Sequence, residues 1–400
     1  MRKNSGPLSG VKVVEFAHVM AGPVCGLMLA DMGADVIKVE KLPGGDDSRR
    51  FVPPQIKGES AAFMMVNRNK RGMAINLKHP KGRKVAHDII DKADILIENF
   101  RSGTMERLGL GYPSLKKTNP ALIYCEISGF GRTGPYKDRA GFDLVAQGMS
   151  GLMSITGEGG ERPFVKVGAP ITDISSGILA AMGVLAAYIE RLKTGKGQRV
   201  ETSLFEAGIV QTYWQSAISL ATGVSPKPLG SAHPLNAPYQ AYKTKDGWIT
   251  VGAANQKNWI RLLGVLETPA LAEKNLFKNN SSRMKNLSKL NKILDAIFRE
   301  KPTNVWLKKF ELAGIPSGPV LTVDQMHNDP HVIDRNMIVS PIHTLLGPTK
   351  AIGCPVKFSK SKSSVGRSAP LYGEHTKKIL REIGYKKSEI EILIASEIIA

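Results

Sequence analysis

The chain of 400 residues carries 55 Lys and Arg against 35 Asp and Glu, a formal net charge of +20, with 42% hydrophobic and 22% charged residues. This is the make-up of a soluble globular protein long enough for more than one domain or lobe. No apolar run reaches the roughly 18 residues expected of a membrane span, and the start MRKNSGPLSGVKVVEFA lacks the long apolar region of a secretory signal. Cys25, Cys125 and Cys354 stand far apart in no metal or redox spacing, and they read as reduced thiols of a cytoplasmic protein.

In chain order, VKVVEFA (11–17) predicts a strand, PVCGLMLADMG (23–33) a helix ending at Gly33, and ADVIKVE (34–40) a second strand before the loop LPGGDDSRR. MAINLK (73–78) is strand-like, GRKVAHDIIDKA (82–93) is an amphipathic helix, and DILIENF (94–100) and ALIYCEISGF (121–130) are strands. Short strands spaced by helices of this length indicate a parallel sheet covered on both faces. The stretch from Ile174 to about Lys193 predicts one long helix closed by the glycines of TGKGQ. Residues 222–238 are rich in Pro, Gly and Ser, and YQAYKTKDGWITVGA predicts a hairpin with an Asp-Gly turn. The fold class is therefore α/β: a Rossmann-like parallel sheet in a large lobe over 1–222, a linker over 223–238, a smaller α+β lobe over 239–325, and a return segment over 326–400.

The same pass excludes several activities. AHVMAGP follows the first strand where a dinucleotide fingerprint would need G-x-G-x-x-G, and neither a P-loop nor a G-x-S-x-G elbow occurs. The basic residues are scattered through KHPKGRK, ERLKTGKGQR and KFSKSKSS, with no single stripe, aromatic ladder or zinc-finger spacing, so nucleic acid is not expected as a partner. In VGAPITDISSGILAAMG, Asp173 is a lone carboxylate in a small, apolar run. Two readings stand: a helix N-cap, or a reacting group placed where a core helix begins.

Many short stretches resemble the family III CoA-transferases, a group with formyl-CoA transferase, crotonobetainyl-CoA transferase and, as a divergent branch, α-methylacyl-CoA racemase. They include LSGVKVVEFAHVMAGP, GADVIKVEKLPGGDDSR, NRNKRGMAINLK, ADILIENFRSG, GFDLVAQGMSGLMSITG, VGAPITDISSG, KTGKGQRVETSLFEA, GSAHP, YQAYKTKDGWI, GIPSGPV and APLYGEHT, in family order from about residue 8 to residue 385. The resemblance implies transfer of coenzyme A from an acyl-CoA donor to a carboxylic acid. It also implies an interlocked homodimer, no permanently bound cofactor and no metal. It makes Asp173 the nucleophile, acting through a mixed anhydride and an aspartyl-CoA thioester.

The resemblance also places His18, Val19 and Met20 beside the CoA, with Met20 where formyl-CoA transferase has a glutamine. Lys41 and Arg107 match phosphate contacts, Ile75 and Lys78 the adenine-side pair, and Asn99 and Phe100 the ENF element. A racemase of 2-methylacyl-CoA is the first alternative. It would use a histidine where this chain has Phe142, which cannot move a proton. A non-catalytic acyl-CoA binding protein is the second. Asp143 reads as the N-cap of the following helix, His233 as a turn or site residue, and His375 as a helix start.

Overall fold

The computed structural model describes residues 6–361, 363 and 365–400; the basic start MRKNS and part of KFSKSKSS lie outside the described residues. Six segments form strands β1 (Lys12–Phe16), β2 (Asp35–Lys41), β3 (Arg71–Ile75), β4 (Ile95–Glu98), β5 (Ile123–Ser128) and β6 (Arg199–Ser203). All neighbours pair in parallel in the order β3-β2-β1-β4-β5-β6. The order reverses between β1 and β4, as in doubly wound sheets, where ligands bind beyond the carboxyl ends of the strands. The strand expected at 73–78 ends at Ile75, because the Asn76 side chain accepts the Lys78 N–H and turns the chain away.

Both faces of the sheet are covered, and the Val, Ile and Phe residues of β1 and β2 are buried on both sides. Charges are nonetheless sealed inside them: Glu15, Lys38 and Glu40 are buried, as are Glu98 in β4 and Glu126 in β5. Register explains one pairing, since Glu15 lies directly opposite Lys38 across β1 and β2.

Four helices position the site: α1 (Ala21–Asp31), α2 (Asp143–Met149), α3 (Ile171–Thr194) and α4 (Leu204–Val210). α1 is buried along nearly its whole length and stops before Gly33, whose φ of +104° suits only glycine well. α3 is closed by left-handed Gly195, whose N–H reaches the Arg191 carbonyl. α1 and α3 come together because Gly177 has no side chain; a Cβ there would stand 2.6 Å from the Ala21 carbonyl oxygen. Ala180, Ala181, Val184 and Ala187 of α3 join Ala21, Cys25 and Leu29 of α1 in one core cluster. The expectation that no apolar segment is long enough to cross a membrane is corrected here. α3 spans 24 residues and is the one helix among the described residues long and apolar enough by length and composition. Its alanine and valine face is spent on α1 and the sheet, while Ile178, Met182, Ile189 and Leu192 remain exposed.

The chain divides into two compact units. The first comprises residues up to Gly151, Val167–Gln211 and Pro330–Ala400. Its last residues return to the sheet edge, where the Asn76 N–H donates to the Ile398 carbonyl and Ile398 and Ile399 are buried. The second comprises Leu152–Lys166 and Thr212–Asp329, so it takes in a segment ahead of α3 as well as the stretch after α4. Its centre is the expected hairpin, Tyr239–Lys243 against Trp248–Gly252, extended antiparallel by Ser317–Pro319. Helices Gln256–Val265, Leu287–Phe298 and Thr303–Leu312 close over it around Trp259, Phe298, Trp306 and Phe310. Asp246 in the hairpin turn accepts the Thr303 N–H at 2.8 Å, tying the turn to the start of the last of these helices.

Candidate active site

Asp173 is not the cap of its helix. α3 begins three residues earlier than Ile174, its N-cap is Pro170 with no side-chain bond, and Asp173 lies within the first turn. The capping carboxylate comes from elsewhere. Asp143 Oδ1 accepts the Thr172 N–H at 3.0 Å and the Thr172 hydroxyl at 2.8 Å, while Oδ2 accepts from Gln147 at 2.8 Å. Gln147 in turn accepts the Val167 N–H at 2.8 Å, which fixes the segment entering α3. The expectation that Asp143 caps its own helix is thereby corrected: the N-cap of α2 is Phe142, and Asp143 serves the neighbouring helix. Sequence reasoning missed this because the cap and the capped helix are 29 residues apart.

With the capping duty met by Asp143, the half-buried Asp173 carboxylate has no hydrogen-bond partner among the described residues. Burial, and then the charge of Asp143, push its pKa up to about 7. A poorly solvated carboxylate that is still substantially ionised at neutral pH is suited to covalent attack. Ser176 and Gly177, one turn further on, are buried against the body of the unit. Asp173 and Gly177 share one face of α3 at i and i+4, and Gly177 touches Ala21, the first residue of α1. The loop leading into α1 is therefore a turn away from the Asp173 carboxylate.

That loop is His18-Val19-Met20, and it is gripped on both sides. The Asn99 side chain accepts the His18 N–H and donates to the His18 carbonyl, both at 2.9 Å. The His18 and Phe100 rings lie 5.6 Å apart. The structure thus brings together His18, Val19, Met20, Asn99 and Phe100. Val19 has φ +64°, a conformation that a β-branched residue rarely adopts, and its N–H donates to Asp46 at 3.0 Å. Met20 is the N-cap of α1 and offers no side-chain bond to it; the leading N–H groups of that helix face the loop with the positive end of its dipole. Burial pushes the His18 imidazole below its ordinary pKa, against the pull of Asp46 and Asp47.

The remaining expected residues divide. Lys41 is exposed but ion-paired to Asp47 at 2.7 Å, so part of its charge is answered within the chain. Lys78 and Arg107 are exposed, and Arg107 donates to Thr104 at 3.0 Å. Ile75 is completely buried in the core, and its carbonyl is taken by the Leu42 N–H; its side chain offers no surface to an adenine, which corrects the expectation of a contact there. His375 is the N-cap residue of Thr376–Glu382, and its Nδ1 accepts the Gly72 N–H at 3.2 Å. In the second unit His233 Nδ1 accepts the Leu235 N–H at 3.0 Å, and its ring packs 5.2 Å from Tyr239. Phe142 is 71% exposed and carries no titratable group.

Below the loop is an ionic cluster that no sequence motif announced. Lys38, fully buried, donates to Asp46 at 2.8 Å, to Glu15 at 3.2 Å and to the Ala17 carbonyl at 2.8 Å. Lys70, also fully buried, meets Glu15 at 2.8 Å and the Pro23 carbonyl at 2.8 Å. Gly26 lets α1 cross this cluster, since a Cβ there would fall 1.9 Å from a Glu15 oxygen. Burial works against both lysines. Lys70 is lowered to about 8, whereas at Lys38 the carboxylates of Asp46, Glu15 and Glu40 outweigh burial and hold the ammonium above its ordinary range.

The family model for CoA-transferase family III matches residues 8–376. The chain is 38% identical to the succinyl-CoA:glutarate CoA-transferase of Homo sapiens over 380 residues, covering 95% of this chain and 86% of that one. It is 36% identical to the succinate--glutarate CoA-transferase of Agrobacterium fabrum, covering 96% and 97%. Among solved structures, a CAIB/BAIF family protein from Brucella suis superposes with a TM-score of 0.84 at 37% identity, covering 95% of this chain and all of that one. This chain is a CoA-transferase, and it belongs to CoA-transferase family III.

Proposed function

We propose that the chain moves coenzyme A from a succinyl-CoA-type donor to a dicarboxylic acid, with Asp173 as the nucleophile. The observation that carries this reading is the unpartnered, desolvated Asp173 carboxylate beside the start of α1, its helix capped instead by Asp143. An Asp173 oxygen attacks the thioester carbonyl; the C–S bond breaks, giving a mixed anhydride and CoA thiolate. The thiolate attacks the aspartyl carbonyl of the anhydride, the donor acid leaves as a carboxylate, and an aspartyl-CoA thioester remains. The acceptor carboxylate attacks that thioester, releasing thiolate and forming a second anhydride. The thiolate then attacks the acceptor carbonyl, giving the new acyl-CoA and restoring Asp173. No proton is gained or lost overall, so the site needs no general base. The leading N–H groups of α1 stabilise the anionic tetrahedral species.

The choice of acids follows the names of the relatives, which act on succinyl-CoA and glutarate. Lys41, Lys78 and Arg107 supply charge for the CoA phosphates. The working form is a homodimer in which two chains interlock; exposed Ile178 and Met182 of α3, with Leu144 and Val145 of α2, form the kind of apolar surface such a partner would cover. The exposed, non-titratable Phe142 argues against two-base racemisation. Incubating the protein with succinyl-CoA and glutarate, and following glutaryl-CoA and succinate by mass spectrometry, tests the reading. Product from the parent and none from Asp173→Asn supports it; equal product from both refutes it.

A further inference from the structure

The ionic cluster under the first loop has a use beyond stability. Val19 stands in the left-handed region, at φ +64°, without the freedom of glycine. Such a residue stores strain and persists only where its surroundings over-determine it. The group that does so is visible. The Asp46 carboxylate accepts the Val19 N–H through Oδ1 at 3.0 Å and Oδ2 at 3.3 Å. It also accepts the Ser48 N–H at 2.9 Å and the Ser48 hydroxyl at 2.8 Å. Lys38 binds it at 2.8 Å from beneath and is itself anchored on Glu15 and the Ala17 carbonyl, one residue before the loop. Asp46 and Lys38 are both buried. Burial would raise the Asp46 pKa, but Lys38 and the N–H donors overcome it and keep the carboxylate ionised.

We infer that Asp46, held by Lys38, is a positioning residue for the transfer reaction: it clamps the Val19 peptide in its left-handed conformation and so sets the loop that leads into α1 beside Asp173. The inference rests on the reading of that site given above. Asn99 fixes the His18 peptide from one side; Asp46 fixes the next peptide from the other. A carboxylate suits this task because a charged acceptor binds an N–H more strongly than a neutral one. Lys38 suits its own because an uncompensated buried carboxylate would take up a proton and lose that strength.

The test is a cycle of variants assayed with succinyl-CoA and glutarate, together with hydrogen–deuterium exchange of the peptide covering residues 17–24. Asp46→Ala removes the acceptor, so kcat should fall roughly ten- to hundredfold, on the scale of the released strain, and exchange in that peptide should quicken. Val19→Gly removes the strain, so in the Asp46→Ala background it should restore kcat to within about threefold of Val19→Gly alone. Asp46→Asn keeps an oxygen for the Val19 N–H but loses the charge, so its kcat should fall less than that of Asp46→Ala. A folded Asp46→Ala with parental kcat, or one that Val19→Gly leaves unrescued, overturns the inference. If Asp46→Ala does not fold, Asp46→Asn decides: a loss above about tenfold with parental exchange at 17–24 overturns it, because the N–H bond would then be intact and irrelevant. Failure of the underlying reading looks different. Full transfer by Asp173→Asn would remove the proposed nucleophile while leaving the exchange result at Val19 in place.

Discussion

Replacing Asp173 by Asn should stabilise the protein at neutral and alkaline pH while abolishing transfer. The Asp173 carboxyl is raised from 3.8 to about 7 by burial and by Asp143, a shift of about 3 units, or on the order of 4 kcal/mol. The folded-state pKa lies above the unfolded one, so the folded protein holds this proton more tightly. The associated stability is fully present below pH about 4 and is lost as pH rises through about 7. Asparagine copies the shape of the protonated acid and never ionises. The variant should therefore match the parent near pH 4, lead by about 1–2 kcal/mol at pH 5, and lead by about 4 kcal/mol at pH 8. A cap would behave in the opposite way, and α3 loses none here because Asp143 provides it. Urea unfolding of both proteins at these pH values, with unchanged m-values, measures the gap. A gap that does not vary with pH, or a parent more stable than the variant at pH 8, refutes the argument.

Other consequences follow from the same geometry. The limiting rate of transfer should rise with pH through a midpoint near 7 as Asp173 ionises; Asp143→Asn, which keeps an oxygen for Thr172, should move that midpoint downward in a pH–rate profile by removing a neighbouring charge. Gly177→Ala should lower the thermal midpoint by an amount matching about 1–3 kcal/mol, because its Cβ would stand 2.6 Å from the Ala21 carbonyl oxygen and 2.8 Å from Val24. Asn99→Ala should cost about 1–3 kcal/mol of stability and lower kcat/KM, since both bonds that bracket His18 are lost; calorimetry and steady-state assays read the two effects.

The parallel sheet was legible because strands buried on both faces are written as short apolar runs between helical ones, as VKVVEFA and ADVIKVE show. The hairpin was legible from its Asp-Gly turn. The start of α3 was not, because its cap lies on another helix and Ile171-Thr172 gives no local signal. Glu15 and Lys38 look like ordinary charges in a strand until register sets them opposite each other. The left-handed Val19 has no signature in a β-branched residue, and its acceptor Asp46 lies 27 positions away in a loop that no motif ties to it. Ile75 matched a family contact by position, yet its depth in the core is a property of the packed sheet edge and the returning C-terminus.

If Asp173 carries the acyl group and then CoA, the adduct can be trapped on its side chain. The most direct measurement is to incubate the protein with succinyl-CoA alone, add hydroxylamine, and determine the mass of the peptide that contains Asp173. A hydroxamate on the Asp173 side chain is expected, because hydroxylamine intercepts both the anhydride and the aspartyl-CoA thioester at that carbonyl. An unmodified Asp173 peptide from protein that turns over with glutarate in the same preparation would contradict it.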